Sequence, residues 1–463
     1  MAGKDFAILP FNSSRVKDKY LLSNQLGAWD FLDKKEFREF SSYSLKKGSA
    51  LYERLYGKGL VADSNNIERL FNEYRSLNAN LFLDTSLHIA VVTTRCNLRC
   101  RYCQSNTLKP QDMGSEVATR VLKYLFDVRN MNITLEFQGG EPLLNWKTLS
   151  FLIEHARKFN VTGKDLRIAL VSNLTLLDEA KIKFLLKHDV EICGSLDGPK
   201  AVHDKNRVLN NGKGTYDLVV KNVRKIQKEF KRKINLLPTI TSFSLPYYKE
   251  IIDEYVSLGQ DEICLRPVNK LGIACVNWPN LGYTAEEFND FYDKAMDYIF
   301  ALNKKGVLIK ERMARVISEK IFNKKDPGYV ELMNPCGSGR STIVYMPDGS
   351  CFPCDEARML GEEMFKLGNI LKENYEELMK KDNLLHLIQS SLTNLWDYNN
   401  VYSPWLGTCP VVNYALQRNI VPKVSCSPLH KINNFQFRYI FEKILESKGN
   451  ENILRGWITG GQK

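Results

Sequence analysis

Between residues 87 and 267 six short apolar runs alternate with five helical patterns, and this repeat constrains the fold more than any other feature. The runs are 87–94, 132–137, 167–171, 190–195, 235–241 and 262–267. The helical patterns between them cover 115–128, 146–159, 178–188, 216–230 and 246–258. Strand–helix alternation of this length predicts parallel βαβ units, and six units suit a partial β/α barrel. Chemistry in such barrels sits at the C-terminal ends of the strands, so the residues just after each run come first.

The first run ends in Cys96-Asn-Leu-Arg-Cys100-Arg-Tyr102-Cys103. Thiolates are the ligands of iron–sulfur clusters, and a four-iron cluster ordinarily takes four. Three local thiolates leave one iron open to another ligand, as a catalytic metal site requires. Zinc sites are built from paired C-x2-C units, which this spacing is not. The second run ends in Gln138-Gly139-Gly140-Glu141-Pro142, glycines that allow close backbone approach beside a carboxylate that can accept a hydrogen bond. Ser172-Asn173 follows the third run, where it could reach sugar hydroxyls or cap the next helix. Ser195-Leu-Asp197-Gly-Pro and then His203-Asp-Lys-Asn-Arg207 follow the fourth. Four candidate elements thus stand at four successive strand ends.

These motifs resemble the radical S-adenosylmethionine (SAM) superfamily. The resemblance implies a [4Fe-4S] cluster held by Cys96, Cys100 and Cys103, with SAM chelated to the open iron. Reductive cleavage then gives a 5′-deoxyadenosyl radical that abstracts a hydrogen atom. It also implies that Tyr102 lies near the adenine, that Gly139, Gly140, Glu141 and Pro142 form the SAM amino-group loop, and that Ser195, Asp197 and Arg207 belong to the carboxylate-binding run, with Ser195 and Arg207 as its grips.

Composition fits this reading. Eleven cysteines, an odd number, with no apolar leader in residues 1–10, argue against a disulfide framework and for reduced thiols in the cytoplasm. No apolar run approaches the ~20 residues of a membrane span. The net charge of +12 is compatible with nucleic acid, but the densest basic stretch, 221–233, reads as the solvated face of an amphipathic helix.

Past residue 330 come Cys336-Gly-Ser-Gly, then Cys351-Phe-Pro-Cys354-Asp355-Glu356, then Cys409 and Cys426. This order resembles a cysteine-depleted SPASM extension of peptide-modifying members. It implies one auxiliary [4Fe-4S] cluster on Cys336, Cys354 and Cys409, with Cys351 or Cys426 as fourth ligand and a zinc ribbon as the rival. Asp355 matches the base of sulfatase-maturing relatives. Blocks at both ends of the chain resemble the maturases of the His-Xaa-Ser system.

The expected architecture is a partial (β/α)6 TIM-type barrel with an N-terminal α+β appendage and a C-terminal iron–sulfur domain, divided as 1–80, 81–330 and 331–463. The expected function is modification of a peptide or small protein, guided by a leader peptide and supplied with electrons by a flavodoxin or ferredoxin. The alternatives are an anaerobic sulfatase maturase that makes formylglycine and a zinc-stabilised nucleic-acid-binding protein. Neither membrane nor nucleic acid is an expected partner.

Overall fold

The computed structural model describes residues 5–105, 109–392, 397–421 and 423–459, the side chain of residue 80 excepted. Residues 1–4 of the leader reading and 460–463 at the C-terminus lie outside these.

Strands β1 (Leu87–Thr93), β2 (Asn132–Gly139), β3 (Asp165–Ser172), β4 (Val190–Ser195) and β5 (Asn235–Leu237) form one parallel sheet in the order β5-β4-β3-β2-β1. Each is followed by a helix that packs its apolar face on the sheet, as the buried Val121, Leu125, Leu149, Leu152, Ile182 and Leu185 show. The expected fifth strand breaks after Leu237, because Pro238 has no N–H to give to a ladder. Its second part, Thr239–Ile240, pairs in parallel with Arg266–Pro267, so the wall continues to the sixth position. The central parallel sheet with outer helices is the expected partial barrel.

The C-terminal region enters the same sheet. Strand β6 (Thr342–Tyr345) lies parallel to β1 with Thr342 opposite Leu87 and Tyr345 opposite Ala90. Strands β7 (Ser350–Phe352) and β8 (Gly368–Asn369) follow antiparallel. The β6–β7 turn is the expected Asp348-Gly349 hairpin, with Gly349 at φ +81°, where a side chain would be strained. The rest of this region contains the helices Asp355–Leu360, Tyr375–Met379, Asp382–Leu392 and Pro410–Gln417. Two further helices, Pro428–Glu446 and Lys448–Thr459, close the chain. They pack on Ala285–Lys304 through Tyr292 on Tyr439 and Phe300 on Trp457.

At the N-terminus, Asn12–Val16, Lys19–Ser23 and Trp29–Leu32 form an antiparallel sheet over a separate small core that includes Leu22, Phe40 and Leu55. Trp29 and Phe31 meet Phe441 edge-on and fasten this unit to the C-terminal helices. Among the described residues no helix is long and apolar enough to cross a membrane.

Candidate active site at the strand ends

After Thr93 the chain leaves the barrel wall. The Thr93 hydroxyl donates to Asp112 at 2.6 Å and accepts from the Arg95 amide, and Arg95 pairs with Asp112 at 2.7 Å. The loop that follows carries Cys96, Cys100 and Cys103. It is pinned to the segment after β4: the Arg99 amide donates to the Val208 carbonyl and the Arg101 amide to the Asn206 carbonyl. The Cys103 carbonyl accepts from Ile273. All three thiols are free. Burial pushes the Cys96 thiol up to about 11 and the Cys100 thiol up to about 12. Such thiols ionise only beside positive charge, which iron supplies.

The Gly139-Gly140 turn is built against this loop. Gly139 has φ +147°, and a Cβ there would stand 2.1 Å from the Thr93 carbonyl oxygen. A Cβ on Gly140 would stand 2.2 Å from that of Arg95. Only glycines allow the ends of β1 and β2 to lie this close. The Gly140 and Glu141 amides donate to the Thr93 and Arg95 carbonyls. Pro142 is buried and opens the short turn after Glu141.

Glu141 itself is fully buried. One carboxylate oxygen accepts from the Leu143 amide (3.1 Å) and the Ser172 hydroxyl (2.9 Å), and the other from the Asn173 amide (2.8 Å). Burial nevertheless raises its pKa to about 7. This arrangement gives Ser172 and Asn173 protein partners, Asn173 in a capping role. Ser172, read as a candidate sugar contact, spends its hydroxyl on Glu141 and on the Leu174 amide. Asn173 caps its own turn by accepting from Thr175 and reaches the cysteine loop through Asn97, at 3.0 Å. Both lie under 10% exposed and hold strand ends together rather than facing a ligand.

Past β4, Asp197 is the hub. Its carboxylate accepts from the Tyr102 hydroxyl (2.8 and 3.0 Å), Arg207 Nε (3.1 Å) and the Thr239 amide (3.1 Å). The Arg207 guanidinium lies 5.2 Å from the Tyr102 ring centroid. Its terminal nitrogens have no protein partner among the described residues, and the Ser195 side chain is half-buried at the strand end. His203 supports the hub. Its Nδ1 accepts from the Asp197 amide, so Nε2 carries the proton and donates to Thr215 (3.0 Å), which donates to the Arg207 carbonyl. Burial holds the His203 pKa down at about 4, keeping this tautomer neutral.

The C-terminal cysteines divide. Cys336, Cys354 and Cys409 line one cavity with Arg266, Glu331 and Glu356. Cys351 does not join them. It sits on β7 with its side chain in the main core near Tyr124 and Tyr345, and alternate strand residues face opposite ways. Cys426 is exposed in the short turn Val424–Cys426. The expectation that one of these two supplies a fourth ligand is therefore corrected. Cys193 lies in β4 and Cys264 in the buried core between Ile263 and Leu265. Among the described residues no three His, Cys, Asp or Glu side chains converge as a single ion needs; thiolates on one tetrahedral zinc stand only about 3.8 Å apart, from a Zn–S distance of about 2.3 Å.

The two cysteine sites are joined by a bridge that the sequence reading missed. Arg358 donates from Nε to Asp355 (2.6 Å) and from Nη2 to the Gln138 side-chain oxygen (2.9 Å), and Gln138 donates to Glu136 (2.6 Å). The i, i+3 spacing of Asp355 and Arg358 on one helix was the available signal.

Residues 90–258 match the family described as the radical SAM superfamily. A cysteine-type anaerobic sulfatase-maturating enzyme of Clostridium novyi is 25% identical over 374 residues, which are 77% of this chain and 94% of that one. Native anSMEcpe with bound AdoMet and the Kp18Cys peptide superposes with a TM-score of 0.68 at 21% identity, covering 81% of this chain and 99% of that one. Streptococcus suis SuiB bound to the precursor peptide SuiA gives 0.56 at 14% identity over 89% and 97%. The family's cofactors suit what the chain presents: three unpaired thiols that iron would ionise, and an arginine fork left open beside them. Thiols, glycines, aspartate and arginine at successive ends of a parallel sheet, within the matching stretch of sequence, make residues 90–258 a radical SAM domain, of the family that works with a [4Fe-4S] cluster and SAM.

Proposed function

We propose that the chain is a maturase that modifies a residue of a peptide or small protein. The observation that carries this is the second set of three buried thiols, Cys336, Cys354 and Cys409, tied to the first site through Arg358 and Gln138. A barrel that only cleaved SAM would not need it, and the Clostridium maturase named above aligns along nearly its whole length.

When bound, the cluster supplies the electron that cleaves SAM to the radical that takes a hydrogen from the substrate. The chain's own residues do the rest. Cys96, Cys100 and Cys103 hold the cluster. The Ser195 hydroxyl and the open edge of Arg207 grip a carboxylate, a fork-shaped contact that Asp197 fixes from behind. Tyr102 backs that fork with its ring. Glu141 keeps Gly139, Gly140 and Pro142 in the turn that meets the amino end of SAM. Asp355, 20% exposed and oriented by Arg358, is the candidate substrate base. Cys336, Cys354 and Cys409 hold one auxiliary cluster.

A cleft of about 420 Å³ between the N-terminal unit and the C-terminal region, lined by Phe11, Asn24, Tyr74, Trp405 and Leu406, is where a leader peptide would lie. A flavodoxin or ferredoxin would deliver electrons, and eleven free thiols suit the reducing cytoplasm. Within the family, the terminal blocks favour the His-Xaa-Ser maturases.

The Clostridium relative favours a second reading, conversion of a sulfatase residue to formylglycine. Co-expression with a sulfatase separates it from modification of a small peptide. The test of the main reading is anaerobic reconstitution with iron and sulfide counting and a SAM-cleavage assay with dithionite. About eight irons and release of 5′-deoxyadenosine are expected. The Cys96→Ala/Cys100→Ala/Cys103→Ala variant should keep about four irons and lose cleavage. A chain that binds no iron overturns the reading and returns the zinc-stabilised binding protein.

A further inference from the structure

A four-iron cluster takes four protein ligands when none of its irons is left open. The C-terminal cavity offers three thiols, and both remaining cysteines of that region lie elsewhere. What else lines the cavity therefore decides how the site closes.

Its walls set buried polar groups among apolar side chains such as Met313, Met333 and Val412. Thr408 Oγ1 and Gln436 Oε1 are buried without a hydrogen-bond partner, on residues 8% and 1% exposed. Unpaired buried oxygens are rare and mark a missing ligand or water. The charged groups are Arg266, Glu331 and Glu356. Glu331 holds Arg266 closely, whereas Glu356 stands 3.7 Å from it. Arg266 thus keeps a partner if Glu356 turns away. Glu356 lies two residues after Cys354, is 9% exposed, and interacts electrostatically with Cys336, Cys354 and Cys409 alike. A carboxylate that lines one cavity with three thiols is poorly hydrated, and a metal held by those thiols would favour its charged form.

We propose that Glu356 is the fourth ligand of the auxiliary cluster, completing a set of three thiolates and one carboxylate oxygen. A carboxylate carries the same single negative charge as the thiolate it replaces, so the net charge of the site is that of a four-cysteine cluster. The ligand itself is harder, and exchange at that one iron is correspondingly easier. Arg266, left on Glu331, stays beside the carboxylate and balances the site. This inference rests on the assignment of Cys336, Cys354 and Cys409 to an auxiliary cluster.

The test uses the full chain carrying Cys96→Ala/Cys100→Ala/Cys103→Ala, so that only auxiliary iron is counted. After anaerobic reconstitution this background should hold about four irons; none would refute the auxiliary cluster itself. Adding Glu356→Ala should leave the folded chain with an iron lost on mild oxidation, seen as the EPR signal of a three-iron cluster. Glu356→Cys should keep the four-iron count and alter the EPR spectrum of the reduced cluster. Met313→Leu, a conservative change elsewhere in the cavity wall, should leave count and spectrum as they were. Glu356→Ala with an unchanged spectrum and no oxidative loss of iron overturns the proposal. So does equal loss of iron in Met313→Leu, which would mean that any disturbance of the cavity suffices.

Discussion

Asp197→Asn is the sharpest probe of how the SAM-facing strand ends are held. Asp197 is fully buried and Arg207 is 11% exposed at its side chain. The substitution keeps shape and volume but removes the charge that balances the guanidinium. Breaking a buried pair by neutralising one partner costs about 3–5 kcal/mol, most of it the penalty of an uncompensated buried charge. That is a factor of roughly 10²–10⁴ in the folded population. With a urea m-value of about 3 kcal/mol/M, the midpoint should fall by roughly 1–1.7 M. Hydrogen exchange should speed up first in 196–209 and in the cysteine loop pinned to it by Arg99 and Arg101. The decisive measurement is the second variant, Asp197→Asn/Arg207→Met. Removing the stranded cation should restore more than half of the lost stability, although SAM affinity stays low. A double variant no more stable than the single one would refute the reasoning, because the loss would then come from the hydrogen bonds to Tyr102 and Thr239 and not from charge.

Three further outcomes follow from the same geometry. Gly140→Ala places a Cβ against immovable backbone, 2.2 Å from the Arg95 oxygen. It should cost about 1–3 kcal/mol or more and abolish iron binding at the first site, whereas Gly114→Ala, with nothing within 4 Å, should do neither. Glu141, held up to about 7 by burial, keeps a proton that the unfolded chain loses near 4.5. Its contribution to stability is therefore full below 4.5 and fades as pH rises to 7. Glu141→Gln should remove up to about 3 kcal/mol of that decline, read as urea midpoints at pH 4.5 and 7.5; identical pH dependence in both proteins would refute it. Arg358→Lys keeps the charge but not the fork that spans Asp355 and Gln138. It should leave iron counts intact and reduce turnover of a peptide substrate more than SAM cleavage alone; equal losses would place Arg358 outside the link between the sites.

Much of this was legible in the sequence because the barrel strands obey a simple rule: a buried parallel strand reads as an unbroken apolar run, and each run here ends where its polar motif begins. Leu87–Thr93 and Val190–Ser195 match the expected limits within a residue. The failures have local causes. Pro238 splits a run that looked continuous. The helix Lys200–Asn206 spans too few residues to show a period, and Asp355–Leu360 and Tyr375–Met379 are shorter still. Ile67–Leu77 was missed because Ile67, Phe71 and Tyr74 are exposed, so its apolar residues mark the outer face as well as the inner. Motif order put Glu141, Ser172 and Asn173 at strand ends, but did not reveal that Glu141 accepts from the other two, since that depends on how closely neighbouring strand ends approach.

The continuity of the sheet from β5 to β8 bears on why two cysteine sites occur in one chain. Because β6 pairs directly with β1, the segment that carries Cys351 and Cys354 is registered against the strand that delivers Cys96. The helix after Cys354 then packs on β6 and β7, where Ala357 joins the buried cluster that holds Ile89 and Val91, and Arg358 reaches Gln138. A displacement of either is resisted by a parallel ladder on one side and by a fully buried guanidinium on the other, and a sheet and a buried charge are both costly to deform. Under the proposed function, the distance between a radical formed at the first site and a group held by the second would be set by the barrel wall itself, and that rigidity would be what the extension of the sheet contributes.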